Sequence, residues 1–206
     1  MTTGEATRSY SSPLRAEQAE QTRARIVQAA VDLLSEGDAG DLSMGDVADR
    51  AGVSVRTAYR CFATKDALLD GVIEWINDHI DSLAGPPPVA RQDYEAGTEA
   101  VIGALFDIEP LYRALFATAA GRESHRRTAP SRHESLRLAY AEQMEALDED
   151  AAARLGALLH LVASSHGALF MKDYWGLSPE DVGRAMQWAI KVLADAASDA
   201  KQREGL

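Results

Sequence analysis

Arg56, Tyr59, Arg60 and Lys65 stand close together in a stretch, Val53–Lys65, that carries three positive charges and no negative one. A guanidinium presents a planar fork of donors, an ammonium a point charge and a phenol a neutral donor. This set suits phosphate oxygens and the hydrogen-bonding edge of guanine. The elements that must position it are written in the surrounding residues, Asp41–Leu69. Ser43 is placed to cap a helix, and Asp46 three residues later completes a capping-box pattern. Val47, Ala48 and Ala51 repeat at helical spacing. Gly52 supplies the backbone angles of a sharp turn, with Val53 beneath it. Ser54 caps again, and Val55–Phe62 makes two turns of helix. Ala58, Cys61 and Phe62 then point one way, and Arg56, Tyr59 and Arg60 another. Thr64 caps a third helix.

A two-turn helix is not stable alone, so an exposed basic and aromatic face on one needs a reason. The second helix of a helix-turn-helix lies in the DNA major groove with its N-terminal residues at base edges. In that geometry Arg56, with Val55 and Thr57, faces base edges. Ser43, Ser54, Tyr59, Arg60 and Lys65 face phosphates, helped by the capped helix N-termini. The spaced residues Gly52, Val53, Ser54, Thr57, Tyr59, Phe62, Lys65, Leu68 and Leu69 resemble the DNA-binding signature of the TetR family. The resemblance is specific over about residues 22–70 and extends further only as a helix pattern. Cys61 stands where many members carry His, a modest departure.

The resemblance implies an all-α homodimer of about nine helices. It would have a three-helix head at residues 22–66, preceded by a flexible or helical arm at 1–21, and a ligand-binding and dimerisation body at 67–206. The implied function is a one-component transcriptional regulator, most often a repressor, that binds a palindromic operator and is released by a small, largely apolar ligand. An activator of the same fold, or a helical protein-interaction module that binds no DNA, are the alternatives. Salt-dependent binding to duplex DNA separates the last of these from the rest.

A net charge of −11 is unusual for a DNA binder, but it is unevenly spread. Residues 1–65 carry a net −1 and the remaining residues a net −10. A basic face can therefore approach phosphate while the body stays acidic. Hydrophobic content of 46% and charged content of 26% describe an ordinary globular protein. Stretches of β-branched alternation are almost absent, so the fold class is all-α. A single cysteine allows no internal disulfide and suits a reducing compartment. No apolar run nears the ~20 residues of a membrane span, and the N-terminus lacks a signal-peptide core. A cytoplasmic location is expected.

Along the chain, Met1–Ser12 is expected to be disordered when free. One long helix follows from Pro13 to Gly37, its apolar face strengthening late through Ile26, Ala30, Leu33 and Leu34. Its first half projects Arg8, Arg15, Arg23 and Arg25. These form either a solvated extension or an arm reaching phosphates or the minor groove, with Arg15 and Arg23 as the DNA contacts. Gly37–Leu42 reads as a turn. The helix after Thr64 is amphipathic through Leu68, Val72, Trp75, Ile76 and Leu83, and in the resembled family it transmits ligand binding to the head. Gly85 and Pro86–Pro88 end it.

Helices are then expected at Tyr94–Phe106 and Pro110–Ala119, a loop near 121–127, and a helix from Pro130. A long helix over Ala151–Tyr174 and a last one opened by Ser178–Asp181 follow, the latter with the face Val182, Ala185, Met186, Ala189, Leu193, Ala196 and Ala197. Both are apolar over more than one stripe, and Ala157, Gly167, Ala185 and Ala189 permit close approach. They are expected to supply a four-helix dimer interface.

Other constellations are weak. His160 and His166 lie six apart, poor spacing for a helical zinc pair, and His125 and His133 lie near arginines; no metal is expected. Ser164-Ser165-His166 lacks a nucleophile elbow, and no Gly-rich phosphate loop exists; neither an enzyme nor a cofactor is expected. Cys61 is either an oxidant sensor or, from its register with Ala58 and Phe62, a buried inert thiol. Trp75, Phe106, Tyr112, Phe116, Met144, His160, Phe170 and Tyr174, with Trp175 beside them, are the aromatic, Met and His inventory of the body. If the resemblance holds, some of them line an effector cavity.

Overall fold

The computed structural model describes residues 13–37, 42–145 and 147–204, all of whose regular structure is helical. The expectation for Met1–Ser12, and most of the turn after Gly37, lie outside these residues. No helix among them is long and apolar enough to cross a membrane.

Helix α1 (Pro13–Glu36) buries only its second half, through Ile26, Val27, Ala29, Ala30, Val31 and Leu34. Helix α2 (Met44–Arg50) packs on it and α3 (Val55–Cys61) packs on α2, each started by a serine cap. Helix α4 (Lys65–Ala84) begins at Thr64, whose hydroxyl accepts from the Ala67 amide, and ends at Gly85. The boundary expected at residue 66 thus falls in the first turn of one continuous helix. A single apolar core joins Ile26, Val47, Ala58 and Phe62 of the head to Ile76, Ile102, Leu111 and Met186 of the body. Head and body are packed together, and α1 also rests on α6.

The body continues with α5 (Arg91–Asp107), α6 (Glu109–Ala117), α7 (Ala119–Ala139), α8 (Ala141–Glu145), α9 (Glu149–Val162), α10 (Ser165–Trp175) and α11 (Pro179–Glu204). That makes eleven helices among the described residues, against about nine expected. The two extra helices are the short α8 and the one gained where the helix expected over Ala151–Tyr174 divides into α9 and α10. The polar run near 121–127 is helix, and α7 passes straight through Pro130. Its polar residues are taken up by tertiary partners: Ser124 is fully buried and its hydroxyl donates to Asp70, Arg127 pairs with the same carboxylate, and Arg122 donates to the Phe116 and Ala117 carbonyls. The turn into α7 is close. A methyl on Gly121 would stand 2.0 Å from the Leu115 carbonyl oxygen.

The helix expected over Ala151–Tyr174 is broken after Val162. There Ser164 donates to the Leu161 carbonyl and caps α10 by accepting from the Gly167 amide. A second apolar core forms between α7, α9 and α11 from Leu136, Tyr140, Leu155, Leu159, Ile190 and Ala194. Helix α11 carries two stripes, and the face read from the sequence is divided between them. Val182, Met186, Ile190, Ala194 and Ala197 are buried. Ala185, Trp188, Ala189, Val192 and Ala196 lie on another side, where Trp188 is 70% exposed.

Candidate nucleic-acid interface

The helix-turn-helix forms as its capping residues dictate. Ser43 accepts from the Asp46 amide at 3.1 Å, and its hydroxyl donates to the Asp46 carboxylate at 2.5 Å, so both bonds of the cap run through the hydroxyl. Gly52 turns the chain at φ 64°, a left-handed angle that a side chain would strain. Ser54 accepts from the Thr57 amide at 3.1 Å and shares a 2.8 Å hydrogen bond with the Thr57 hydroxyl. Both hydroxyls are therefore occupied in the free protein, and Thr57 is half-buried.

On α3 the two faces separate cleanly. Ala58 and Phe62 are buried and Cys61 is half-buried, whereas Arg56 and Arg60 are exposed and Val55 and Tyr59 are 43% and 50% exposed. No ion pair among the described residues uses Arg56, Arg60, Lys65 or Arg15. By contrast Arg50, next to this face, is held by a two-pronged pair with Glu36 at 2.6 and 2.8 Å. Lys65 sits in the first turn of α4, where the helix dipole disfavours a cation unless an anion joins it. Arg15 is exposed two turns before Arg23 on α1. Arg23 differs from the rest: it donates to the Cys61 carbonyl at 3.3 Å and lies 4.1 Å over the Phe62 ring. It is engaged with the end of α3.

The residues expected around an effector fall in three places. Trp75, Phe106, Tyr112 and Phe116 pack on the head-side core. There Phe116 stacks on Tyr112 and meets the rings of His125 and His166 edge-on, each at 4.7 Å. Met144 belongs to the second core, and His160 packs against His133 at 4.5 Å. Phe170 and Tyr174 stack on one another but are 54% and 78% exposed, on the outside of α10. A recess of about 340 Å³ at the start of α9 is lined by Asp148, Glu149, Asp150 and Arg154, with none of these aromatics. Among the described residues no group of three or more His, Cys, Asp or Glu could hold a metal ion. The sequence reading missed His125 and His166 as members of these ring contacts, His79 as the ring stacked on Trp75 at 5.1 Å, and Trp188 as an exposed aromatic. Only Trp188 had a usable signal, its helical spacing from Ala185 and Val192.

Residues 26–72 match the family model described as bacterial regulatory proteins, tetR family. No curated protein matches the chain in sequence. Among solved structures, a TetR transcriptional regulator from Rhodococcus sp. RHA1 superposes with a TM-score of 0.55 at 19% identity, over 84% of this chain and 96% of that one. NalD, the secondary repressor of the MexAB-OprM multidrug efflux pump in Pseudomonas aeruginosa, gives 0.56 at 18% identity, over 84% and 95%. These structures share the fold of the chain, and the family match is confined to the three-helix helix-turn-helix segment and the start of α4. The chain takes the TetR regulator fold and carries that family's DNA-binding module at its N-terminus.

Proposed function

We propose that the protein is a ligand-responsive repressor that grips a palindromic operator as a homodimer. The observation that carries this reading is the face of α3, where Arg56, Tyr59 and Arg60 are exposed and, among the described residues, free of ion pairs, while Ala58 and Phe62 opposite are buried in the core. Arg56, flanked by Val55 and Thr57, reads base edges; a guanidinium fork on guanine is the commonest specific contact. Tyr59, Arg60 and Lys65 take phosphates, as do the α2 and α3 N-termini behind Ser43 and Ser54. Arg15 adds a phosphate contact from the arm.

The dimer uses the outer face of the last helices. Leu158 and Leu161 of α9, Phe170, Tyr174 and Trp175 of α10, and Trp188 and Val192 of α11 are all large and exposed. An apolar surface of this kind, rimmed by charge, marks an interaction site. A twofold-symmetric pairing presents two heads to two half-sites. Phe170 and Tyr174 are thereby assigned to the partner face. The effector is assigned to the head-side aromatic group of Trp75, Phe106, Tyr112 and Phe116, next to α4. Ligand bound there favours a head spacing that the operator does not fit, and can shift the balance only by its difference in affinity for the two states.

Selection of duplexes from a random library by the full chain tests the reading. It should enrich a palindrome whose half-site centres lie about 34–36 Å apart or a multiple of that. Enrichment of no duplex, or of a single unrepeated half-site, would overturn it.

A further inference from the structure

Arg23 is half-buried on α1, where it bonds the Cys61 carbonyl and covers the Phe62 ring at the end of α3. We infer that Arg23 is a positioning residue that sets the tilt of α3, and contributes no phosphate contact of its own. The inference rests on the DNA-binding reading of α3.

Cys61 is the last residue of α3, so its carbonyl is one of the acceptors a helix leaves unpaired at its C-terminus. Arg23 satisfies it with a cation, the charge that the negative end of a helix favours. The same guanidinium covers the ring of Phe62, the residue at which the chain leaves α3. The ring is 2% exposed and is held from α4 as well: a methyl group on Gly71 would come within 3.0 Å of Phe62 Cε1, and within 3.4 Å of Val27 Cγ2. Phe62 is thus a wedge between α1 and α4, with Arg23 over its ring and the bare Gly71 backbone against its Cε1 edge.

At its other end α3 is fixed by the Ser54 cap and the Gly52 turn. With only two turns between, the wedge decides the angle at which Arg56 and Tyr59 are presented. Base-edge hydrogen bonds need placement to about 0.5 Å, whereas phosphate attraction falls off slowly with distance. Loosening the wedge should therefore reduce sequence discrimination first and leave the electrostatic term in place. A phosphate-binding Arg23 would show the reverse: uniform weakening, and a salt slope smaller by about one.

The test uses the full chain, the duplex it selects from a random library and a scrambled duplex of the same length. Dissociation constants for both are measured between about 50 and 200 mM salt. Arg23→Leu and Gly71→Ala should each lower the ratio of selected to scrambled affinity by about tenfold with the salt slope unchanged. Gly71→Ala presses on the ring edge from α4 and alters no charge, so a shared loss identifies the wedge as its origin. Arg23→Lys keeps the charge without the flat fork, and should also lose discrimination; it replaces Arg23→Leu if that variant does not fold. Arg60→Ala serves as the phosphate control, expected to lower the slope by about one.

A lower slope for Arg23→Leu at an unchanged ratio would overturn the inference. So would equal loss on both duplexes in step with a fall in Tm, or no change in any of these quantities. A wild-type chain that selects no duplex would instead overturn the DNA-binding reading, before any variant is made.

Discussion

Arg56 and Tyr59 share one exposed face of α3 but carry different chemistry, and substitution separates them. Arg56→Ala should weaken operator binding by about 1–3 kcal/mol and relax preference at one base pair. Tyr59→Phe should weaken all duplexes about equally; a loss confined to one base would contradict its assignment to phosphate. Titrations against single-base operator variants read both. In the second core, the Tyr140 hydroxyl is buried with no hydrogen-bond partner among the described residues. Burial accordingly pushes the phenol pKa well up, and that of neighbouring Tyr94 up to about 12. An unsatisfied buried hydroxyl costs about 1–3 kcal/mol, so Tyr140→Phe should raise the unfolding free energy in urea by about 1 kcal/mol. A destabilised variant would show that the hydroxyl is paired. At this scale the sequence was most informative where partners are local. The caps at Ser43, Ser54 and Thr64 form as the three-residue spacing predicts. Arg23 reads as one more arm cation because its partners, Cys61 and Phe62, are far along the chain.

Between elements, the joint from α6 to α10 is the most heavily charged. Arg113 bonds Glu109 on its own helix and grips Asp173 of α10 with two hydrogen bonds at 2.6 and 2.9 Å, while Lys172 reaches Glu109. Arg113 holds the Asp173 carboxyl below its ordinary range. Burial pushes Glu109 up, but bonds from Lys172 and Arg113 outweigh that and leave it lowered too. A carboxyl whose folded pKa is depressed adds stability above its unfolded pKa and loses it as the pH falls through the folded one. The Tm should therefore drop on acidification between about pH 5 and 3, and drop less in Arg113→Gln; equal acid limbs would show that the joint contributes nothing. The same scale explains the misread helices. α7 is polar in sequence yet helical, because Asp70, a residue of α4, neutralises and bonds its Ser124 and Arg127. The break between α9 and α10 is set by Ser164, whose capping role is hidden inside a run of apolar helical spacing.

For the whole molecule, the acidity lies on the body while α3 carries exposed cations. The uncovered apolar face of α9 to α11 lies on the body. If that face joins two copies, Trp188→Glu should shift sedimentation from dimer to monomer and cost far more affinity for a full palindrome than for a half-site. An unchanged dimer would move the interface elsewhere. The fold class was legible from composition and periodicity, and the head from spacing. The arrangement of the body's aromatics was not, since Phe116 meeting His166, and Phe170 facing outward, depend on how distant helices cross. The central claim, that the free face of α3 enters a groove of duplex DNA, is tested most directly by the salt dependence of binding to the selected operator. Affinity should fall linearly on a log–log plot, with a slope that shrinks by about one in Arg60→Ala. Binding indifferent to salt, or a slope untouched when Arg60 and Lys65 are both removed, would contradict it.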